Sequence, residues 1–127
     1  MFNVYPVTAA SATRWLLGEI ADAGLDRGRP EVVYLNELIG RASYAAMLRE
    51  CVRLDDLGCR ACIAHVVNPA IFRRCLRYGG VPTLTEKILW HGQPLEAIRL
   101  VVPPAGWENW IRRIRRITAA ASRTGQG

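Results

Sequence analysis

Lysine is nearly missing from this chain: of its seventeen basic residues, all but Lys87 are arginine. Against eleven Asp and Glu the formal charge is +6. Such an Arg-rich, Lys-poor makeup follows as readily from GC-rich coding as from a nucleic-acid partner, so the charge alone assigns neither. No run of eighteen uninterrupted apolar residues occurs, which excludes a helical membrane span by length. The opening MFNVYPVTAAS has no basic leader ahead of an apolar core, so no signal peptide is expected and a cytoplasmic location is. Internal repeats are absent, and the only low-complexity stretch is the C-terminal end. Cysteine occurs four times. Cys59 and Cys62 form a lone CxxC, and Cys51 and Cys75 do not supply a second pair at matching spacing, so no zinc site is expected. A three-residue step along a strand predicts opposite faces for Cys59 and Cys62. Small buried thiols in a reducing compartment are the reading that remains.

What is present is a chain of 127 residues, half of them hydrophobic. That is enough for one domain with a single core, and too apolar for a disordered chain. Its organising stretch runs from Gly40 to Val81. From Ala42 to Leu57, Tyr44, Met47, Leu48, Cys51, Val52, Leu54 and Leu57 recur every three or four positions between charged residues, which predicts an amphipathic helix ended by Gly58. Cys59 to Val67 is short and β-branched near its end and reads as a buried strand. Asn68-Pro69 then pairs an N-cap with a proline at the first helical position, and opens a helix that closes on Gly79-Gly80. Helix, strand and helix with tight punctuation is half of an α/β unit.

Upstream, Phe2 to Val7 predicts a first strand, with Pro6 confining it to an edge or a strand end. Thr8 caps a predicted helix from Ala9 to about Ala23 with Ala12, Trp15, Leu16, Ile20 and Ala23 on its apolar face. After a polar loop, Glu31 to Ile39 predicts a central strand. Downstream, Thr83 to Trp90 and Pro94 to Val102 flank His91-Gly92-Gln93 and predict a hairpin, with Pro103-Pro104 ending the sheet. The expected fold is α/β: a small mixed sheet flanked by helices, followed by a C-terminal amphipathic helix. The division expected is an α/β domain over residues 1–104 and a basic helix with a flexible end over 105–127.

The helix opening on Gly40-Arg41-Ala42, the Gly58-Cys59-Arg60 turn, the strand ending at Asn68, and Gly79 eleven residues beyond that Asn resemble the second half of the GNAT (Gcn5-related N-acetyltransferase) acyltransferases. The resemblance covers roughly residues 31–102. It implies an acyl-CoA site with the pyrophosphate held by loop amides at a helix N-terminus. A V-shaped splay between strands 32–38 and 59–67 would receive the pantetheine arm. Gly40 and Arg41, with Asn68 at the strand end, are the cofactor-binding positions it implies. Several departures accompany it. Leu35 and Leu38 stand at the first and middle positions of the pyrophosphate loop, where a leucine side chain obstructs close approach. Cys75 stands where the family places the tyrosine that protonates the leaving thiolate, and Tyr78 lies three residues further on. A helix and two antiparallel strands of the full domain are missing. Small GNAT-like proteins of short-tailed phages share such losses, and that pattern implies a non-catalytic interaction or structural protein in virion assembly, in the host cytoplasm or the particle.

Two functions from different classes follow. One is a GNAT-fold protein without catalysis and without a cofactor, which docks on a protein partner or a second copy. The other is an acyl-CoA-dependent N-acyltransferase that uses acetyl-CoA. For the enzyme, the acid candidates are Tyr78 and Cys75. The base candidates are His65, placed opposite Cys62 and Ala64 on its strand, and Glu37.

The C-terminal segment GWENWIRRIRRITAAASRTGQG places Trp107, Trp110, Ile111, Ile114 and Ile117 on one helical stripe, with Arg112, Arg113, Arg115 and Arg116 on the other faces. It reads as a basic amphipathic helix that either packs on its own domain, docks on a partner, or lies on nucleic acid or a membrane surface. Docking on a partner, with the two tryptophans as anchors, is the reading the aromatic content favours.

Overall fold

A computed structural model describes residues 2–37 and 42–125, with side chains to residue 121. In chain order the elements are β1 (Asn3–Val7), α1 (Ala9–Leu16), a 3-10 turn at Asp22–Gly24, β2 (Val32–Asn36), α2 (Tyr44–Asp56), β3 (Ala61–Val66), α3 (Pro69–Arg77), β4 (Val81–Trp90), β5 (Gln93–Val102) and α4 (Pro104–Gly125). Among the described residues the five strands form one mixed sheet in the order β1-β2-β3-β5-β4. β2 and β3 are parallel, and the other neighbours are antiparallel. A parallel pair needs a long crossover, and residues 37–60, which contain α2, supply it. The fold is therefore the α/β class with a mixed, helix-flanked sheet that the patterning predicts.

The two faces of the sheet carry different cores. Val33, Leu35, Cys62, Ala64, Val66, Leu100 and Val102 join Met47, Cys51 and Leu54 of α2 and Trp107, Ile111 and Ile114 of α4 in the larger one. Val32, Tyr34 and Ile63 join Ala12 and Trp15 of α1 in the smaller. Successive residues of β2 and β3 alternate between these cores, as the period of two requires. All five residues of β2 are buried, as befits a strand covered on both faces.

Three helix ends are set by glycine, one of them unexpectedly. α1 stops at Leu16, not near Ala23, because Gly18 takes φ +77° and closes a Schellman motif: its N–H donates to Trp15 O at 3.0 Å and that of Glu19 to Arg14 O at 2.9 Å. α2 and α3 end the same way on Gly58 and Gly79. The early stop frees Asp22 to turn back under the helix. The hairpin turn is two residues, His91 and Gly92, both at positive φ, which matches the right-handed strand twist. A bulge between Pro82 and Leu84 lets the Thr83 hydroxyl donate to the carbonyl of Leu16 at 2.7 Å.

Two further expectations are corrected. β3 begins at Ala61, so Cys59 lies before the strand, and it shares the larger core with Cys62 in place of facing away from it. The last helix is not a separate unit beyond residue 104, since its inner stripe completes the main core. Trp107, Ile111 and Ile114 are 2%, 4% and 3% exposed, which leaves these three as core residues and not docking anchors. Close approach holds this helix in place: a Cβ at Gly106 would collide with the carbonyl oxygen of Tyr78 at the end of α3.

Candidate functional site

The parallel pairing of β2 and β3 brings the end of the central strand beside the start of α3. The ladder runs through Asn36↔His65, and the Glu37 N–H extends it to His65 O at 3.4 Å. The Glu37 carboxylate then reaches across, and its Oε1 accepts hydrogen bonds from the backbone N–H groups of both Val67 and Asn68. Asn68 spends its own side chain as the N-cap of α3, accepting from Ala70 N–H at 2.8 Å. These two amides lie at the ends of the paired strands, and a side chain of the same domain occupies them. Gly40, Arg41 and Leu38 lie outside the described residues, and Leu35 is part of the larger core.

Beneath α3 the sheet, α2 and α4 leave an apolar cavity of about 50 Å³, lined among others by Leu35, Cys62, Ala64, Cys75, Tyr78 and Trp107. Two sequence-predicted acid candidates, Cys75 and Tyr78, therefore share a wall with two tail tryptophans, Trp107 and Trp110. Tyr78 caps α3 and meets Trp110 edge-on at 5.1 Å between ring centroids. Burial pushes the Cys75 thiol up to about 11, the Glu37 carboxylate adds to the rise, and Arg74 opposes it. A thiol so high stays protonated at neutral pH and is not a nucleophile. Burial likewise pushes Cys59 up to about 11 and Cys51 up to about 12, and holds Cys62 well above its ordinary value.

The sheet separates the base candidate His65 from the acid candidates. His65 is 7% exposed and faces α1, its ring edge-on to Trp15 at 5.7 Å, while Cys75 and Tyr78 pack on the opposite face. Its Nε2 lies 3.0 Å from Glu86 Oε1, an ion-pair distance, but the alignment is not that of a hydrogen bond, and Nδ1 has no hydrogen-bond partner either. His65 thus belongs to a buried structural cluster. Arg99, its neighbour across β5, donates from Nε to Glu86 Oε1 at 2.8 Å and from Nη1 to the carbonyls of Trp15 and Ile20 at 2.7 and 2.9 Å. Its guanidinium also stacks over the Trp15 ring at 4.7 Å. Asp22 completes the layer by accepting from Trp15 Nε1 at 2.8 Å and from the Tyr34 hydroxyl at 2.7 Å. Glu86, Arg99 and Asp22 escaped the sequence reading because their partners are remote in the chain.

The cavity beneath α3 shares Tyr44, Arg74, Tyr78 and Trp110 with a groove of about 290 Å³ between α2, α3 and α4, which is also lined by Leu48, Ile114 and Ile117 and by Arg77 and Arg113. Arg74 lies over the Tyr44 ring at 5.1 Å and donates to its hydroxyl. Arg77 and Arg113 are exposed and make no ion pair or hydrogen bond with any described residue. Other tail arginines are neutralised: Arg112 pairs with Glu108 at 3.1 Å, and Arg115 with Asp55 and Asp56 at 3.1 and 2.7 Å. Arg116 is exposed. The sequence pointed to Arg113 but not to Tyr44, Arg74 or Arg77. Their signal was the repeat of arginine at three-residue spacing on α3, which only its place beside α4 turns into a rim.

Among the described residues no group of three His, Cys, Asp or Glu could hold a metal ion, and no helix is long and apolar enough to cross a membrane. The chain matches no family model, no curated protein and no solved structure.

Proposed function

We propose that this chain is a non-catalytic interaction domain, a shortened GNAT-like fold that serves in an assembly such as a phage particle and binds a protein partner on its α2/α3/α4 face. One observation carries the reading: Glu37 bridges the Val67 and Asn68 amides, next to strands that remain paired through Asn36 and His65. A pantetheine arm entering here would have to displace a carboxylate from two charge-assisted hydrogen bonds. The chemistry supports the same reading. His65 is buried on the far side of the sheet from Cys75, and Tyr78 packs against Trp110. His65 and the acid candidates therefore do not face one acyl acceptor, and the other base candidate, Glu37, is engaged by the Val67 and Asn68 amides.

Calorimetric titration of the full chain with acetyl-CoA tests this. No saturable heat is expected. Binding in the micromolar range, displacing Glu37 from the two amides as read by their NMR shifts, would overturn the proposal in favour of an N-acyltransferase.

A further inference from the structure

We infer that the groove between α2, α3 and α4 binds an acidic peptide segment of a partner protein, with one apolar side chain of that segment seated towards the cavity beneath α3. This rests on the reading of the chain as an interaction domain and names the chemistry of its partner.

Charge identifies the occupant. Three guanidinium groups rim the groove, and no acidic residue lines it. On α4, Arg112 and Arg115 find carboxylates within the domain, whereas Arg77 and Arg113 stand beside the apolar floor without a partner among the described residues. Unneutralised cations flanking apolar surface suit a ligand that brings carboxylates on either side of an apolar group. Size sets the anchor. The cavity of about 50 Å³ is well below the roughly 150 Å³ that accommodates a benzene ring. It takes the tip of an aliphatic side chain and not a long acyl tail. Ile117, 53% exposed, extends the floor for the residues around that anchor.

Nucleic acid fits less well. Bases bind on open aromatic faces, but here the ring edges and faces are engaged by one another: Tyr78 against Trp110, and Tyr44 beneath Arg74. The pairing of Arg112 and Arg115 with Glu108, Asp55 and Asp56 also breaks the basic surface into a rim, not a track for a phosphate backbone.

The test is selection of the full chain against a random dodecapeptide library, followed by anisotropy titration of the enriched peptides with a fluorescein label. Enrichment of Asp and Glu around a single aliphatic residue is expected, with binding that weakens as salt is raised. The triple change Arg74→Gln, Arg77→Gln, Arg113→Gln is expected to weaken it by about tenfold or more, since three charge contacts are removed. Ile117→Asp should weaken it as well, while Arg112→Gln with Arg116→Gln leaves it unchanged. All of these positions are exposed, and unchanged circular dichroism confirms the fold of each variant. Failure to enrich acidic residues overturns the inference, as does full binding by the triple variant. Tighter binding of a labelled oligothymidylate, lost in that variant, would instead make the groove a nucleic-acid surface. Acetyl-CoA is titrated in parallel. Its binding would overturn the interaction-domain reading itself, and its failure to bind leaves that reading standing while the peptide titration alone decides the acidic partner.

Discussion

The indole Nε1 of Trp107 donates a hydrogen bond to Asp55 Oδ1 at 3.1 Å, tying the first turn of the last helix to the last turn of α2. Asp55 also accepts from Arg115 at 3.1 Å, so two turns of α4 converge on one carboxylate. Below that contact the Trp107 ring is among the largest fully buried side chains.

Removing residues 105–127 is therefore expected to unfold the domain, since it strips Trp107, Ile111 and Ile114 from the main core. Trp107→Ala alone should cost about 3–5 kcal/mol, the usual range for emptying a buried aromatic site. Urea denaturation followed by circular dichroism checks both. A truncated chain that still melts cooperatively near the midpoint of the full one would show that α4 is dispensable.

The pairing of buried Arg99 with half-buried Glu86 makes a sharper prediction because its two halves are not equivalent to their sum. Arg99 is 7% exposed, and Glu86 is its carboxylate partner. Glu86→Ala should destabilise by about 1–3 kcal/mol by removing the carboxylate from a buried cation that keeps only the Trp15 and Ile20 carbonyls. The double change Glu86→Leu with Arg99→Met should restore most of that loss, because well-packed apolar groups of similar volume avoid the desolvation of both charges. A double-mutant cycle in chemical denaturation reads the coupling.

The four thiols predict a pH dependence. Folding raises Cys75 and Cys59 to about 11 and Cys51 to about 12 from an ordinary 9. Above pH 9 the unfolded thiols lose protons that the folded ones keep, so the unfolded state binds fewer protons and stability falls as pH rises. The contribution is fully present below pH 9 and is lost between 9 and about 11 to 12. Denaturant midpoints measured from pH 7 to 11 should be flat to 9 and decline beyond it. At pH 8, Ellman's reagent should react rapidly with the four thiols in guanidinium and slowly in the native protein. Rapid native reaction of Cys51, Cys59 or Cys62 would contradict its burial.

Gly106→Ala tests the packing of α4 on the end of α3. Alanine favours a helix over glycine by about 1 kcal/mol, so on propensity alone the change stabilises. Here the added methyl meets the Tyr78 carbonyl oxygen, which is backbone and cannot swing away. The net effect is expected to be a loss of about 1–3 kcal/mol, in the range for overpacking. A gain in thermal stability would mean that α4 can slide without cost.

The elements legible in the chain were those with local punctuation. Asn68-Pro69 starts α3 and Gly79 stops it within a span of twelve residues, and His91-Gly92 turns the hairpin by the backbone conformation of the turn itself. Where apolar periodicity continues past a turn, local pattern misleads: it carries the first helix on to about Ala23, and only the Schellman hydrogen bonds at Gly18 place its end at Leu16. A shared site for His65 with Cys75 and Tyr78 was not decidable from the pattern either, because it depends on which helix covers which face of the sheet.

The amino-acid sequence by itself determined the α/β class, α2 and α3, the hairpin, and the amphipathic character of the last helix, because each rests on interactions within a few residues. Tertiary structure alone decided where that amphipathic stripe is spent. The stripe Trp107, Ile111 and Ile114 has the same periodicity whether it meets a partner or its own sheet, and the difference lies in Asp55 and the β3 side chains it happens to face. The buried layer beneath α1 depends in the same way on distance in the chain: Arg99 reaches the carbonyl of Trp15 across 84 positions. No local pattern encodes such a contact, since burial makes it favourable only after the strands between them have paired.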